Sequence, residues 1–168
     1  MRPIVLDASA ALKLLRAEDG SMEVSALIAD RLAGGIAVPP IFWLEVVNVL
    51  ARRLNYSGAS VLEAVHTLET IGLQTLETDR PALLAIIDLV ERHDLTAYDA
   101  AYLALADSRD AELATGDRRM ALAAGDRALL IGPEQGIAEE RAAYCPREPT
   151  WPSWPDAGAY LAELRSAL

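Results

Sequence analysis

Four carboxylates in this sequence lie where predicted strands or helices begin or end, and together they could hold a divalent cation. Asp7 follows the apolar run 3–6, Glu45 lies within "IFWLEVVNVL", and Asp99 and Asp117 lie within "LTAYDAAYLALA" and "LATGDRR". Carboxylates that cluster repel one another unless they are protonated or bridged by hard cations. Mg²⁺ and Mn²⁺ prefer oxygen ligands, activate water and neutralise phosphate. If the fold brings these acids together, they are sufficient for metal-dependent phosphodiester hydrolysis.

Three of the four acids also have ordinary structural explanations. Asp7 or Ser9 is able to cap the following helix by accepting a hydrogen bond from an unpaired backbone N–H. Thr96 and Asp99 have the spacing of a capping box. Asp117 follows a glycine, where turn residues and acids at helix N-termini are common. For each residue taken alone, the structural explanation is at least as good as a role in chemistry.

Glu45 is harder to explain as a structural residue, because its neighbours are apolar almost all round the predicted helix. A charge in such a place costs on the order of several kcal/mol unless it finds a partner or a cation. Asn48 lies one turn further on the same face, so its amide could hold the carboxylate or a water bound beside it. A polar pair in the core and a functional pair are equally good interpretations.

The pattern of apolar residues predicts an α/β fold with a mainly parallel sheet. Apolar runs bounded by breakers predict strands at 3–6, 36–38, 73–76, 111–114 and 128–131. Three- and four-residue periodicity predicts helices over 9–17, 21–33, 41–54, 59–71, 80–92 and 97–107. Strands that alternate with helices are typical of parallel sheets, whose ligands collect beyond the carboxyl ends of the strands near the topological switch point. Asp7 is predicted to lie at such a place.

The chain changes in character from about Gly132. Residues 132–168 contain five of the nine prolines and two of the three tryptophans. We therefore predict one α/β domain over 1–131, followed by a C-terminal extension over 132–168 with a short helix after Asp156. Trp151 and Trp154 are expected to pack on the domain or on a second subunit, and a flexible extension is the alternative.

Composition excludes several classes of function. A formal net charge of -10 argues against broad attraction to a phosphate backbone and favours a basic protein partner. Cys145 is the only cysteine, which excludes a disulfide framework and a cysteine-based zinc site. No glycine-rich phosphate loop and no G-x-S-x-G motif occurs. No apolar run approaches the roughly 20 residues of a membrane span, and no signal peptide is recognisable, so we expect a cytoplasmic protein.

Four segments, in their order and at their separations, resemble the PIN-domain ribonucleases and in particular the VapC-type toxins of bacterial toxin–antitoxin pairs. The segments are "IVLDASAALKLL", "PPIFWLEVVNVLARR", "LTAYDAAYLALA" and "LATGDRRM". The resemblance covers about residues 1–131, and "YDAAYLALA" is its most distinctive part. It implies a three-layer PIN-like α/β fold, in which helices flank a central, mainly parallel sheet.

The resemblance also implies a site, a cofactor and partners. The acids that it assigns to catalysis and to binding Mg²⁺, with Mn²⁺ as a substitute, are Asp7, Glu45, Asp99 and Asp117. The polar residues that it places in support of the site are Ser9, Asn48 and Thr115. It further implies an RNA substrate, a homodimer, and a small antitoxin whose basic C-terminal segment lies across the cleft. The alternatives are a PIN-like binding module and a housekeeping RNA-processing nuclease without an antitoxin.

Overall fold

A five-stranded sheet forms the centre of the protein, which a computed structural model describes over residues 2–16 and 19–132. The strand order is β3-β2-β1-β4-β5, and every neighbouring pair is parallel. The strands are β1 (Ile4–Leu6), β2 (Ile36–Val38), β3 (Gln74–Thr75), β4 (Glu112–Thr115) and β5 (Ala128–Leu130). The predicted parallel sheet is thus confirmed, and each predicted strand is found at its place in the sequence.

Seven helices within the described residues flank the sheet and complete a three-layer α/β fold. They are α1 (Ala8–Arg16), α2 (Ser21–Arg31), α3 (Ile41–Asn48), α4 (Gly58–Thr70), α5 (Arg80–His93), α6 (Ala97–Ser108) and α7 (Arg118–Ala124). Polar side chains cap several of them. The Thr96 hydroxyl accepts a hydrogen bond from the Asp99 N–H (3.1 Å), and the Asp79 carboxylate accepts one from the Ala82 N–H (2.9 Å). These caps satisfy backbone N–H groups that a helix cannot pair internally.

The third helix departs from the prediction of one continuous α-helix over 41–54. It is α-helical only to Asn48, and Val49–Arg53 then form a π-helical turn. The Leu54 N–H donates to the Val49 carbonyl at 3.0 Å, a spacing of five residues. Apolar periodicity over so few residues does not distinguish α from π winding, because the two differ by less than one residue per turn. The wider turn carries Arg52 and Arg53, both exposed.

The strand order places a topological switch point between β1 and β4. Chain connections from β1 lead towards β2 and β3 on one side, whereas β4 and β5 lie on the other. The pairing of the two central strands continues past Leu6, because the Asp7 N–H donates to the Ala114 carbonyl at 2.9 Å. Asp7 and Thr115 therefore lie side by side at the carboxyl ends of the central strands. This is the place where α/β sheets bind ligands.

The interior is mainly aliphatic. β1 is fully buried along its length, and Phe42 and Tyr102 are the largest of the fully buried side chains described. At the N-terminal end of β4, Glu112 forms an ion pair with Arg31 on α2 at 2.6 Å. Among the described helices, none has both the length and the hydropathy that a bilayer crossing requires. The predicted extension over 132–168, with Trp151 and Trp154, lies outside the described residues apart from its first residue.

Leu113→Ala tests the packing of the central strands. Leu113 is fully buried on β4, where it pairs with Val5 on β1 and Ala128 on β5. Truncation of a buried leucine removes apolar contacts and leaves a cavity, so the free energy of unfolding should fall by about 2–5 kcal/mol. The measurement is urea denaturation followed by circular dichroism. Leu122→Ala is the control, because Leu122 is 75% exposed; equal losses in both variants would contradict the packing described.

Candidate active site at the switch point

The first residue of the candidate site is Asp7, which directly follows the last residue of β1. It is only 5% exposed. The Ser9 hydroxyl donates to Asp7 Oδ2, and the Thr115 hydroxyl donates to the same oxygen at 2.8 Å. One donor comes from α1 and the other from the end of β4, so the carboxylate joins the two central strands through side chains as well as through the sheet.

A second pair of hydrogen bonds fixes the turn between β4 and α7. The Gly116 N–H donates to the Ser9 hydroxyl at 2.8 Å, and the Asp117 N–H donates to the Thr115 hydroxyl at 2.9 Å. A side chain at position 116 would be crowded, because a Cβ there would lie 3.0 Å from Lys13 Cε and 3.1 Å from Ser9 Oγ, and one of these neighbours would have to shift. The hydroxyls of Ser9 and Thr115 thus each link Asp7 to the backbone of this turn.

Burial and neighbouring charges raise the pKa of the Asp7 carboxyl from its ordinary 3.8 to about 6. Desolvation is the largest cause, and the hydroxyls of Ser9 and Thr115 oppose it by donating to the charged form. The carboxylates of Asp99 and Asp117 raise the pKa further by electrostatic repulsion. Asp7, Asp99 and Asp117 therefore lie close enough for their charges to interact, as the convergence of strand ends and helix starts predicts.

Glu45 joins the site through a tyrosine. The Tyr102 hydroxyl, on α6, donates to Glu45 Oε2 on α3, and Tyr102 is fully buried. Desolvation, followed by the charges of Asp7 and Glu45, raises the pKa of Tyr102 well above its ordinary value. The phenol consequently stays neutral and remains a hydrogen-bond donor. The negative charges of Asp7 and Glu45 thus both lie near this hydroxyl.

Asp99 and Asp117 occupy the first turns of two helices. Asp99 lies in the first turn of α6, behind the Thr96 cap. Asp117 is itself the cap of α7, since its Oδ1 accepts hydrogen bonds from the N–H groups of Arg119 (2.6 Å) and Met120 (3.2 Å). The capping interpretations of Thr96 and Asp117 are confirmed. They do not conflict with a role in the site, because both carboxylates also act on Asp7 through their charge.

The predicted residues differ in how closely the structure brings them together. One hydrogen-bond network joins four of them: Asp7, Ser9, Thr115 and the backbone of Asp117. Asn48 is exposed at the end of α3, and no hydrogen bond between its amide and Glu45 is found among the described residues. Tyr102 was not predicted from the sequence. The one feature of the sequence that could have indicated it is its position, one turn after Asp99 on a helix rich in alanine and leucine.

The chemistry of the donor atoms fits a hard divalent cation, although the side chains do not form a preassembled set of ligands. Within residues 2–16 and 19–132, no three acidic, histidine or cysteine residues form a group that could hold a metal ion. The available donors are carboxylate oxygens, which Mg²⁺ and Mn²⁺ prefer. The donors that the structure shows on the Asp7 carboxylate are the hydroxyls of Ser9 and Thr115, and they offset the cost of its buried charge only in part. A cation is the partner that such a carboxylate favours.

Sheet topology and the acidic site together define an α/β protein whose carboxylates gather at the switch point of a parallel sheet. The chain belongs to the PIN domain family, because the model of the family described as "PIN domain" matches residues 4–126. The match spans every element from β1 to α7 and includes all four acids. The family resemblance seen in the sequence motifs is thereby confirmed.

Solved structures of other proteins share this fold. PAE2754 from Pyrobaculum aerophilum is 24% identical, over 76% of this chain and 83% of that one, with a TM-score of 0.59. VapC20 from Mycobacterium tuberculosis, a toxin described as cleaving the sarcin–ricin loop, is 18% identical over 77% and 99% of the chains, with a TM-score of 0.59. The DNA-bound VapBC complex of Salmonella typhimurium contains a chain that is 18% identical over 77% and 98%, with a TM-score of 0.55. No curated protein matches this sequence significantly.

Asp7→Asn tests the cost of burying this charge. The folded-state pKa of about 6 exceeds the ordinary 3.8, so the folded protein binds more protons between these pH values. The free energy of unfolding of the wild type should therefore fall as pH rises from about 4 to 6. Asparagine keeps an oxygen that accepts from Ser9 and Thr115 but carries no charge. In EDTA at pH 7.5 the variant should be more stable by up to about 3 kcal/mol, and the advantage should vanish near pH 4.

Urea denaturation across this pH range measures the effect, and Asp126→Asn is the matched control. Asp126 is exposed in the turn after α7, so its substitution should change stability by less than about 0.5 kcal/mol at either pH. An Asp7→Asn variant that is less stable than wild type at pH 7.5, or whose difference from wild type does not vary with pH, would contradict the burial argument.

Proposed function

We propose that the protein is a metal-dependent endoribonuclease that hydrolyses RNA phosphodiesters. The observation that carries the proposal is the buried Asp7 carboxylate at the switch point, held by Ser9 and Thr115 and repelled by the charges of Asp99 and Asp117. A bound cation would stabilise such a group of like charges, because it reduces their mutual repulsion. Membership of the PIN domain family supports nuclease chemistry at this group.

Each residue of the site has a distinct role in this proposal. The carboxylates that would hold Mg²⁺ or Mn²⁺ are Asp7, Glu45, Asp99 and Asp117. When bound, the ion supplies an activated water and neutralises charge that develops on phosphate. The hydroxyls of Ser9 and Thr115 orient Asp7 towards the site and oppose its protonation. Because Asp7 has a pKa of about 6, protons compete with the cation for this carboxylate below that pH.

Arginines near the acids are candidate contacts for RNA phosphates. Arg118 and Arg119 are exposed at the start of α7, directly after Asp117, and Arg52 and Arg53 are exposed on the π-helical turn after α3. A protein with a net charge of -10 needs such local cations to hold a polyanion, because its overall field repels one. Arg119 also donates to the backbone carbonyl of Asp94, which ties α7 to the loop before α6.

We further propose that the protein is the toxin of a type II toxin–antitoxin pair. The structural neighbours include a VapC toxin, a VapBC complex and a toxin–antitoxin complex from Klebsiella pneumoniae. A homodimer is expected by the same similarity. The net charge of -10 would attract an antitoxin with a basic C-terminal segment. A housekeeping RNA-processing nuclease without an antitoxin is the alternative within the same chemistry.

A second candidate function is a PIN-like binding module, whose acids accept a basic segment without hydrolysing RNA. The finding that favours it is that no ligating group of three side chains is preformed in the described part of the chain. This candidate predicts tight binding of a basic peptide and no binding of Mn²⁺. Calorimetric titration of the metal-free protein with Mn²⁺ separates the two functions, because the nuclease requires the ion and the module does not.

Asp99→Asn tests the nuclease directly. The substitution removes one charged ligand but keeps the side-chain volume and the Thr96 cap, so cleavage of RNA in Mg²⁺ or Mn²⁺ should fall by about 100-fold or more. Wild-type cleavage should stop in EDTA. The measurement is the rate at which a labelled RNA is cut, with wild type and variant at equal concentration.

Asp107→Asn is the matched control for this substitution. Asp107 lies at the other end of α6 and pairs with Arg127, away from the carboxylates of the site. Its loss should leave the cleavage rate within about twofold, since a partly exposed ion pair contributes little. Equal activity of Asp99→Asn and wild type, or wild-type activity that persists in EDTA, would rule out the proposed mechanism.

A further inference from the structure

Tyr102 is a buried polar residue that the proposed chemistry does not yet use. It lies on α6, one turn after Asp99, and none of its surface is exposed. A phenylalanine would fill nearly the same volume, so packing alone does not explain the hydroxyl. A buried phenol normally finds a hydrogen-bond partner, because an unpaired one is costly. The partner here is the Glu45 carboxylate, 57 residues away in the sequence.

A second contact places this hydroxyl between two of the proposed ligands. The phenol oxygen also takes a backbone hydrogen bond from Ala8, the residue after Asp7, and it interacts with the Asp7 charge. One oxygen atom therefore joins the start of α1, the middle of α3 and the first half of α6. Each of these helices carries or follows one of the acids assigned to the site.

Glu45 has a longer and more flexible side chain than the three aspartates of the proposed site. Asp7 and Asp117 are short side chains held by two hydrogen bonds each, whereas a glutamate has an additional rotatable bond. Glu45 is only partly buried on α3, so solvent reaches part of the residue. The Tyr102 hydroxyl, which also interacts with the Asp7 charge, is a fixed donor that restricts the Glu45 carboxylate and reduces the conformational entropy that ion binding would cost.

We propose that Tyr102 is a positioning residue that holds the Glu45 carboxylate beside Asp7 in readiness for a divalent cation. This inference rests on the proposed function, since it assigns a role within the same site. Tyr102 touches neither substrate nor cation in this account and acts only through Glu45. The sequence motif around Asp99 thus supplies both an acid and the donor that orients a second acid on a different helix.

Tyr102→Phe removes the hydroxyl and leaves the ring. Calorimetric titration of the metal-free protein with Mn²⁺ should show a dissociation constant raised by about 10- to 100-fold, the usual effect of losing a partner that orients a ligand. Tyr98→Phe is the matched control, because Tyr98 lies one turn earlier on α6 and is 61% exposed. Its dissociation constant should stay within about twofold of the wild-type value. Circular dichroism verifies that both variants are folded.

A second background distinguishes positioning from a general structural role. In a Glu45→Ala protein neither the carboxylate nor any other acceptor for the phenol remains at this position, so adding Tyr102→Phe should change the Mn²⁺ dissociation constant by less than about twofold. A residue that merely supports the core would weaken Mn²⁺ binding by the same factor in both backgrounds. That result, or wild-type affinity in Tyr102→Phe alone, would overturn the inference.

RNA cleavage measured on the same samples separates this inference from the proposed function. Wild-type protein that binds Mn²⁺ without cutting RNA would overturn the nuclease, while the Mn²⁺ titrations would still decide the role of Tyr102. Wild-type protein that cuts RNA, with a Tyr102→Phe variant of unchanged Mn²⁺ affinity, would overturn the positioning role alone. A wild-type protein that binds no Mn²⁺ would overturn both.

Discussion

The burial of the Asp7 carboxylate is the constraint on which the rest of the site depends. The strand order brings the carboxyl ends of β1 and β4 together, and the side chain that follows β1 is consequently enclosed. Desolvation of a carboxylate is unfavourable, and like charges nearby add to the cost. The hydroxyls of Ser9 and Thr115 offset part of it, and the same hydroxyls fix the turn that carries Asp117. A cation in the site would offset the remainder.

The sequence predicted the sheet well because the strands are short apolar runs with clear breakers. β1, β2 and β4 are buried over most of their length, which requires unbroken apolar sequence and leaves little ambiguity. The edge strand β3 shortens to Gln74–Thr75 from a predicted 73–76, since an edge strand has only one partner to extend its pairing. The change from α to π winding at Val49 was not predictable, because it depends on which carbonyl each N–H reaches.

The candidate acids could be named from the sequence, whereas the contacts around them could be predicted only in part. Asp7 and Asp117 stand out as charges next to predicted strands, and Glu45 stands out as a charge within an apolar helix; these are local signals. Sequence spacing offered Asn48, one turn along the same helix, as a residue that could hold Glu45 or a water beside it. The contact that the structure shows for Glu45 is with Tyr102, and a contact between α3 and α6 depends on how the two helices pack. Local spacing could not show it, and a tyrosine in an apolar helix reads as part of the core.

The most direct measurement of the central claim is the titration of the Asp7 carboxyl by carbon-13 NMR, first in metal-free protein and then in saturating Mg²⁺. We predict a midpoint near pH 6 without the ion and a midpoint at clearly lower pH with it, because a bound cation favours the charged form. A midpoint near the ordinary 3.8 in metal-free protein, or one that Mg²⁺ does not move, would contradict the assignment of this buried carboxylate to a metal site.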